Sequence, residues 1–190
     1  MKKIAIFASG SGTNAQRIIE YFSKAGTAIV VIILTNNKDA YVLQRAEKSK
    51  IRTCIFDKVL FYETNSIIHL LKDLQIDLIV LAGFLWLVPA TMLDEFKGRI
   101  INIHPALLPK YGGKGMYGNN VHKAVIANHE KYSGITVHYV NERYDEGDVI
   151  FQKEVELQPT ETPESLSVKI HALEYEFFPS IIDRVLTTLT

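Results

Sequence analysis

The chain has 190 residues, long enough for one α/β domain with a well-buried core, and its 47% hydrophobic and 22% charged content is ordinary for a globular protein. Lys plus Arg and Asp plus Glu both total 21, so there is no global basic field to recruit nucleic acid, although a local anion site stays open. The single cysteine, Cys54, excludes an intrachain disulfide framework and a Cys-rich zinc site, and its apolar neighbours from Ile51 to Phe56 mark it as a small buried hydrophobe.

Met1-Lys2-Lys3 is followed by an apolar run of only five residues, Ile4 to Ala8, too short for a secretion signal. The longest uncharged stretch, from Leu78 to Leu93, is interrupted by Gly83 and Pro89 and is too short to span a bilayer. A cytoplasmic protein with no membrane partner is the expectation.

Three β-then-α units open the chain. Lys3 to Ala8 predicts a strand and Asn14 to Lys24 a helix with Ile18, Ile19 and Phe22 on one side. Ala28 to Leu34, continuous and β-branched, suits a strand buried on both faces. Ala40 to Ser49 reads as a helix, Thr53 to Phe56 as a short strand, Asn65 to Leu74 as an amphipathic helix, and Leu78 to Ala82 as a second fully buried strand. Arg99 to His104 supplies the next strand. A glycine-rich loop (Gly112, Gly113, Gly115, Gly118) leads to a helix from Asn119 to Asn128. Gly134 to Val140 and Val149 to Leu157 alternate apolar with polar and predict strands, at least one antiparallel. Thr162-Pro163-Glu164 starts a last helix to about Leu186, with Thr162 as cap and Pro163 in the first turn. The alternation predicts an α/β fold: a Rossmann-like, mostly parallel twisted sheet of about seven strands with helices on both faces. No repeat, low-complexity tract or linker divides it, so a single domain over 1–190 is expected.

Chemistry concentrates at three places. In Asn102-Ile103-His104-Pro105 the period of two sets the Asn102 carboxamide beside the His104 imidazole, with Ile101 and Ile103 on the opposite face. Pro105 ends the strand and leaves the polar pair at its tip. An amide donor beside a titratable ring can hold a developing oxyanion and move a proton, and a strand end whose polar groups satisfy a loop fits the pair alone equally well. The loop Ser9-Gly10-Ser11-Gly12-Thr13-Asn14 joins the first strand to the first helix, where close backbone approach and unpaired N–H groups favour a phosphate. Gly10-x-Gly12-x-x-Ala15 also fits the dinucleotide fingerprint. That mode wants an acid near the end of the second strand, and none lies between Glu20 and Asp39. A phosphorylated small molecule is therefore the better ligand. The third place, His138 to Asp148, carries four carboxylates between two strands and could bring an acid beside His104; from the letters alone a solvated turn is the stronger reading.

With these segments in view, the whole chain resembles the folate-dependent formyltransferase family. The likeness rests on Ala8 to Asn14, Leu81-Ala82-Gly83-Phe84, Asn102-Ile103-His104-Pro105 with Leu107-Leu108-Pro109, and Gly134 to Asp145. Asn-x-His-Pro marks the wider family, and the Gly-Ser-Gly-Thr-Asn loop points within it to the branch acting in purine synthesis. The resemblance implies transfer of a formyl group from 10-formyltetrahydrofolate, as co-substrate, to the amine of phosphoribosylglycinamide, without a metal. It implies a phosphate-binding half, about 1–98, and a catalytic and folate half, about 99–190. The implied catalytic trio is Asn102, His104 and Asp145. The ribonucleotide would meet Gly12, Thr13 and Asn14, and near the carboxyl end Glu174 with His171. The folate would meet Leu85, Trp86, Leu87, Val88, Asn102, Asn141, Glu142, Arg143, Tyr144 and Asp145. Otherwise Leu85 to Val88 reads as core following a strand, and Glu174 as part of an exposed helix face.

Some positions depart from the family pattern. Glu146-Gly147-Asp148 stands where Gly-Gly-Pro is frequent, which makes Asp148 a rival to Asp145 for the acid. Trp86 stands where an Arg is common, and Leu60 where a basic folate contact is expected. The same site would serve a formyltetrahydrofolate hydrolase with water as acceptor. A methionyl-tRNA formyltransferase needs a further RNA-binding domain and a basic surface that are not visible, and a non-catalytic nucleotide-binding module leaves Asn102 and His104 unused. The oligomeric state, monomer or homodimer, is not written in the sequence.

Overall fold

The computed structural model describes residues 1–189. Seven strands form one continuous sheet: β1 (Lys2–Phe7), β2 (Ala28–Thr35), β3 (Arg52–Ile55), β4 (Leu78–Leu81), β5 (Ile100–His104), β6 (Tyr132–Tyr139) and β7 (Val149–Glu156). Their spatial order is β3-β2-β1-β4-β5-β6-β7. The first five run parallel, as βαβ crossovers require, and the last two pairings, β5 with β6 and β6 with β7, are antiparallel. The sequence anticipated at least one antiparallel strand: β6 is the one that reverses, and β7, antiparallel to β6, returns to the direction of the first five. The chain order inverts beside β1 and β4, where open α/β sheets leave a crevice at the strands' carboxyl ends.

Alternate residues of each strand pack on opposite faces. Ile4, Ile6 and Ala8 join Ile101, Ile103 and the apolar stripes of α1 (Thr13–Ala25), α5 (Asn119–Ala127) and α6 (Pro163–Thr188) in one cluster. Ala5 and Phe7 join Ile100 and the buried side of α3 (Ser66–Asp73) and α4 (Ala90–Glu95) in the other. Ile4, Ile6, Leu78 and Ile79 are fully buried, and each such side chain contributes roughly 1.5–3 kcal/mol on transfer from water. The continuous apolar runs are thus what a strand covered on both faces needs. Cys54 lies half-buried on β3 against the second cluster, and burial pushes its thiol pKa up, which keeps it protonated and inert.

Thr162 caps α6 as expected: its Oγ1 accepts the Ser165 N–H at 3.2 Å, while the Thr162 N–H donates back to Ser165 Oγ at 3.0 Å. α2 (Val42–Lys48) begins later than the predicted helix. Two elements have no counterpart in the sequence reading, namely a single wide turn over Val59–Glu63 and the short α4. α4 has six residues and buries only Met92, so no periodicity announces it. No helix among the described residues is long and apolar enough to cross a membrane.

Candidate active site

A cavity of about 670 Å³ opens at the carboxyl ends of β1, β4 and β5. One end is built by the glycine loop. Gly12 lies in the left-handed region (φ 70°), and a Cβ there would sit 2.3 Å from Val42 Cγ2, so both conformation and the close approach of α2 demand glycine. The loop's carbonyls face inward: Asn37 Nδ2 donates to Ser9 O at 3.4 Å, the Val42 N–H to Gly10 O at 3.1 Å, and Arg45 Nε to Ser11 O at 2.8 Å. No side chain caps α1 and no acid lies in its first turn. Amide N–H groups and the positive end of α1 are therefore left for an anion.

Across the cavity, α6 presents Glu174, which is buried. Its Oε2 accepts Asn14 Nδ2 at 2.9 Å and His171 Nδ1 at 3.0 Å. The hydrogen bond to Glu174 pushes the His171 pKa up, against the opposing effect of burial. The His171 ring stacks on Tyr175 (5.8 Å between centroids, planes 5° apart), and the Arg17 guanidinium lies 5.1 Å from the Tyr175 ring. Glu174 is not on an exposed helix face.

The other end holds the strand-tip pair. Ile101 and Ile103 are in the first core cluster, so Asn102 and His104 project from the opposite face, as the alternation predicted. Antiparallel pairing sets His138 of β6 directly opposite Asn102, and Thr136 opposite His104. Thr136 Oγ1 donates to Ala106 O at 2.7 Å and accepts the Leu108 N–H at 3.0 Å, which pins the segment after Pro105 to β6. That segment delivers the Tyr111 carbonyl to His104 Nε2 at 2.8 Å. A carbonyl only accepts, so Nε2 carries the proton and His104 reacts through Nδ1.

His104 Nδ1 lies 3.5 Å from Asp145 Oδ2, and the two side chains are only 4% and 11% exposed. Asp145 itself has a left-handed backbone (φ 57°), stabilised by the Gly113 N–H donating to Oδ2 at 3.0 Å. Burial pushes its carboxyl pKa up. The hydrogen bond from His104, the charge of His104 and the Gly113 amide outweigh burial and hold it well below the usual carboxylate range. Asp148 is exposed and offers its backbone carbonyl to Tyr139 N–H at 2.9 Å, so the acid beside the imidazole is Asp145. Gly147 is fixed there by space: a Cβ would lie 1.7 Å from Tyr139 O.

His138 was not among the residues singled out from sequence. Its Nδ1 donates to Tyr139 O at 2.8 Å, so its Nε2 is an acceptor and takes the Asn102 amide nitrogen at 3.1 Å. This fixes which end of the Asn102 carboxamide faces the cluster, with a weaker second contact to Asp145 Oδ1 at 3.4 Å. The period of two from Thr136 was the available signal, but its cross-strand partner is a matter of register.

Gly12, Thr13, Asn14, Asn102, His104, Asp145, His171 and Glu174 all line the one cavity. The expected folate residues divide. Leu85, Tyr144, Asn102 and Asp145 line it. Val88 is core, and the Leu87 carbonyl accepts the Tyr62 hydroxyl at 3.0 Å. Asn141, Glu142 and Arg143 are exposed, Arg143 pairing with Glu146 at 3.1 Å. Trp86 and Leu60 line a second cavity of about 660 Å³ with Lys38 and Lys58. Among the described residues no cluster of three or more His, Cys, Asp or Glu is arranged to hold a metal ion.

Residues 2–182 match the formyl transferase family model. The chain is 36% identical to the phosphoribosylglycinamide formyltransferase of Bacillus subtilis, over 98% of this chain and 95% of that protein. It is also 36% identical to the chloroplastic phosphoribosylglycinamide formyltransferase of Arabidopsis thaliana, covering 97% of this chain but 65% of the longer plant protein. The crystal structure of phosphoribosylglycinamide formyltransferase from Bacillus halodurans superposes with a TM-score of 0.88 at 37% identity, over 100% of this chain and 97% of that one.

Proposed function

This chain belongs to the formyl transferase family, and on that premise we propose that it transfers a formyl group from 10-formyltetrahydrofolate to the amine of phosphoribosylglycinamide, in the cytoplasm and in purine synthesis. The observation that carries the reading is one cavity with an uncapped glycine loop, whose Ser9, Gly10 and Ser11 carbonyls are bonded elsewhere, at one end and the Asn102–His104–Asp145 cluster at the other. Phosphate at the first end and a reacting carbonyl at the second is the order of groups along a phosphoribosyl amine. Holding both substrates in register supplies much of the acceleration.

The amine nitrogen attacks the formyl carbon, and the carbonyl electron pair moves to oxygen. Asn102 Nδ2 and a proton on His104 Nδ1 hold that oxyanion. The 3.5 Å separation from Asp145 is long for a charge-assisted bond, so the His104 Nδ1–H is left able to hydrogen-bond the oxyanion without the ring moving. Collapse of the intermediate breaks the bond from the formyl carbon to the folate nitrogen. Asp145, directly or through water, carries the proton lost by the amine to that departing nitrogen. His104 is anchored by Tyr111 O, and Asn102 is oriented by His138, so neither donor has to reorganise as charge develops. Hydrolysis with water as acceptor is not favoured, because it leaves the glycine loop, His171 and Glu174 without a ligand.

The test is to mix the protein with both substrates and follow the absorbance of the deformylated folate. Release that requires phosphoribosylglycinamide supports the reading, and equal release without it overturns it.

A further inference from the structure

One buried histidine in the cavity wall has no part in the chemistry above. His122 lies on α5, is 2% exposed, and lines the cavity between the Glu174–His171 pair of α6 and His104 of β5. Neither of its ring nitrogens makes a hydrogen bond among the described residues, and Nδ1 is sealed inside the protein without a partner. A buried polar atom left unpaired costs roughly 1–3 kcal/mol, so a histidine at this position wants a compensating role. With Nδ1 sealed, Nε2 is the nitrogen able to meet a ligand.

The chemistry opposite defines what that ligand offers. Glu174 already accepts two hydrogen bonds at Oε2, so a hydroxyl bound at this carboxylate donates to it and turns lone pairs outward. Those lone pairs need a donor. Asn14 Nδ2 and His171 Nδ1 are already committed to Glu174 Oε2. Resting on the transferase reading, we propose that His122 is a neutral hydrogen-bond donor, through Nε2–H, to a ribose hydroxyl of the ribonucleotide, completing the site that Glu174 begins. Burial pushes the His122 pKa down, and His171 and His104 push the same way against Glu174, so the ring stays uncharged and gives a donor without adding charge. A charged ring would bury a second N–H at Nδ1 with nothing to receive it.

Calorimetry with phosphoribosylglycinamide and, separately, with a folate analogue tests this on the full chain. His122→Phe keeps the ring's bulk and removes the donor. The ribonucleotide Kd should rise on the order of 10-fold, with the folate Kd unchanged. His122→Gln, whose amide nitrogen reaches the Nε2 position, should bind as the parent does. His122→Asn is too short and should behave as the Phe variant, which keeps the test alive if the latter does not fold. The loss should be the same at about pH 6.5 and about pH 8.5, as for a donor that does not titrate in that window. Unchanged ribonucleotide affinity in the Phe and Asn variants, equal weakening of both ligands, or a loss that vanishes as pH rises overturns the role. A wild-type chain that binds folate but no ribonucleotide overturns the transferase reading itself, and this inference with it.

Discussion

The two ends of the cavity offer groups of different kinds. At the glycine loop the donors are backbone amides, backed by the half-exposed His171 side chain at 48% exposure. At the strand tips the groups are side chains sealed from water: His104, His138 and Asp145 at 4%, 2% and 11%. Backbone donors bind a fixed charge without titrating, which suits a phosphate that does not change during the reaction. Sealed, mutually oriented side chains suit charge that appears only in the transition state, because a preorganised dipole is worth most where water is excluded. The comparison predicts that damage at the loop weakens binding while damage at the strand tips slows chemistry.

The largest effect should follow from His104→Ala or Asp145→Asn, which remove an oxyanion donor or the carboxylate that carries the proton. A fall in kcat/KM on the order of 10²- to 10⁴-fold is expected, with the ribonucleotide Kd from calorimetry largely intact. Near-normal turnover in either variant would break the comparison at its catalytic end. His138→Phe comes next. It leaves the Asn102 carboxamide free to turn its oxygen toward the oxyanion, so kcat should drop roughly 10- to 100-fold, short of the loss of a whole oxyanion donor, while both KM values stay put.

At the other end, Gly12→Ala forces a Cβ against Val42 in a backbone conformation that disfavours it. Stability should fall by about 1–3 kcal/mol in a denaturant titration, and the ribonucleotide Kd should weaken on the order of 10-fold as the amides shift. The smallest effect belongs to His171→Gln. Glu174 raises the His171 pKa, so the protonated ring assists the phosphate at lower pH and the help is lost as pH climbs through that raised value. Above about pH 7, where the phosphate is already doubly ionised, parent affinity should decline with pH while the variant stays flat. The curves should meet at high pH from a gap of about 3-fold, small because His171 is half exposed.

The parallel half of the sheet was readable because burial on both faces leaves a signature in the letters: Leu78 to Ala82 is buried throughout, and Ala28 to Leu34 is buried from Ile32 onward, while Ile29 is exposed. The face shared by Asn102 and His104 followed from the period of two, and the three distant residues of the cluster meet as the resemblance implied. Other features had no letter to carry them. The Tyr111 carbonyl that fixes the His104 tautomer is backbone, and His138 finds Asn102 only through cross-strand register. Trp86 belonged to an apolar run whose direction is set by packing against Phe56 and Tyr62. α4 is too short to show a period.

Single-turnover rates with both substrates saturating, measured side by side for Asp145→Asn and Gly12→Ala, weigh the division of labour most directly. The account predicts that the Gly12 variant regains the parent rate once its site is filled, while the Asp145 variant stays slow at any concentration. A Gly12 variant that remains slow at saturation, or an Asp145 variant that reaches the parent rate, would contradict it.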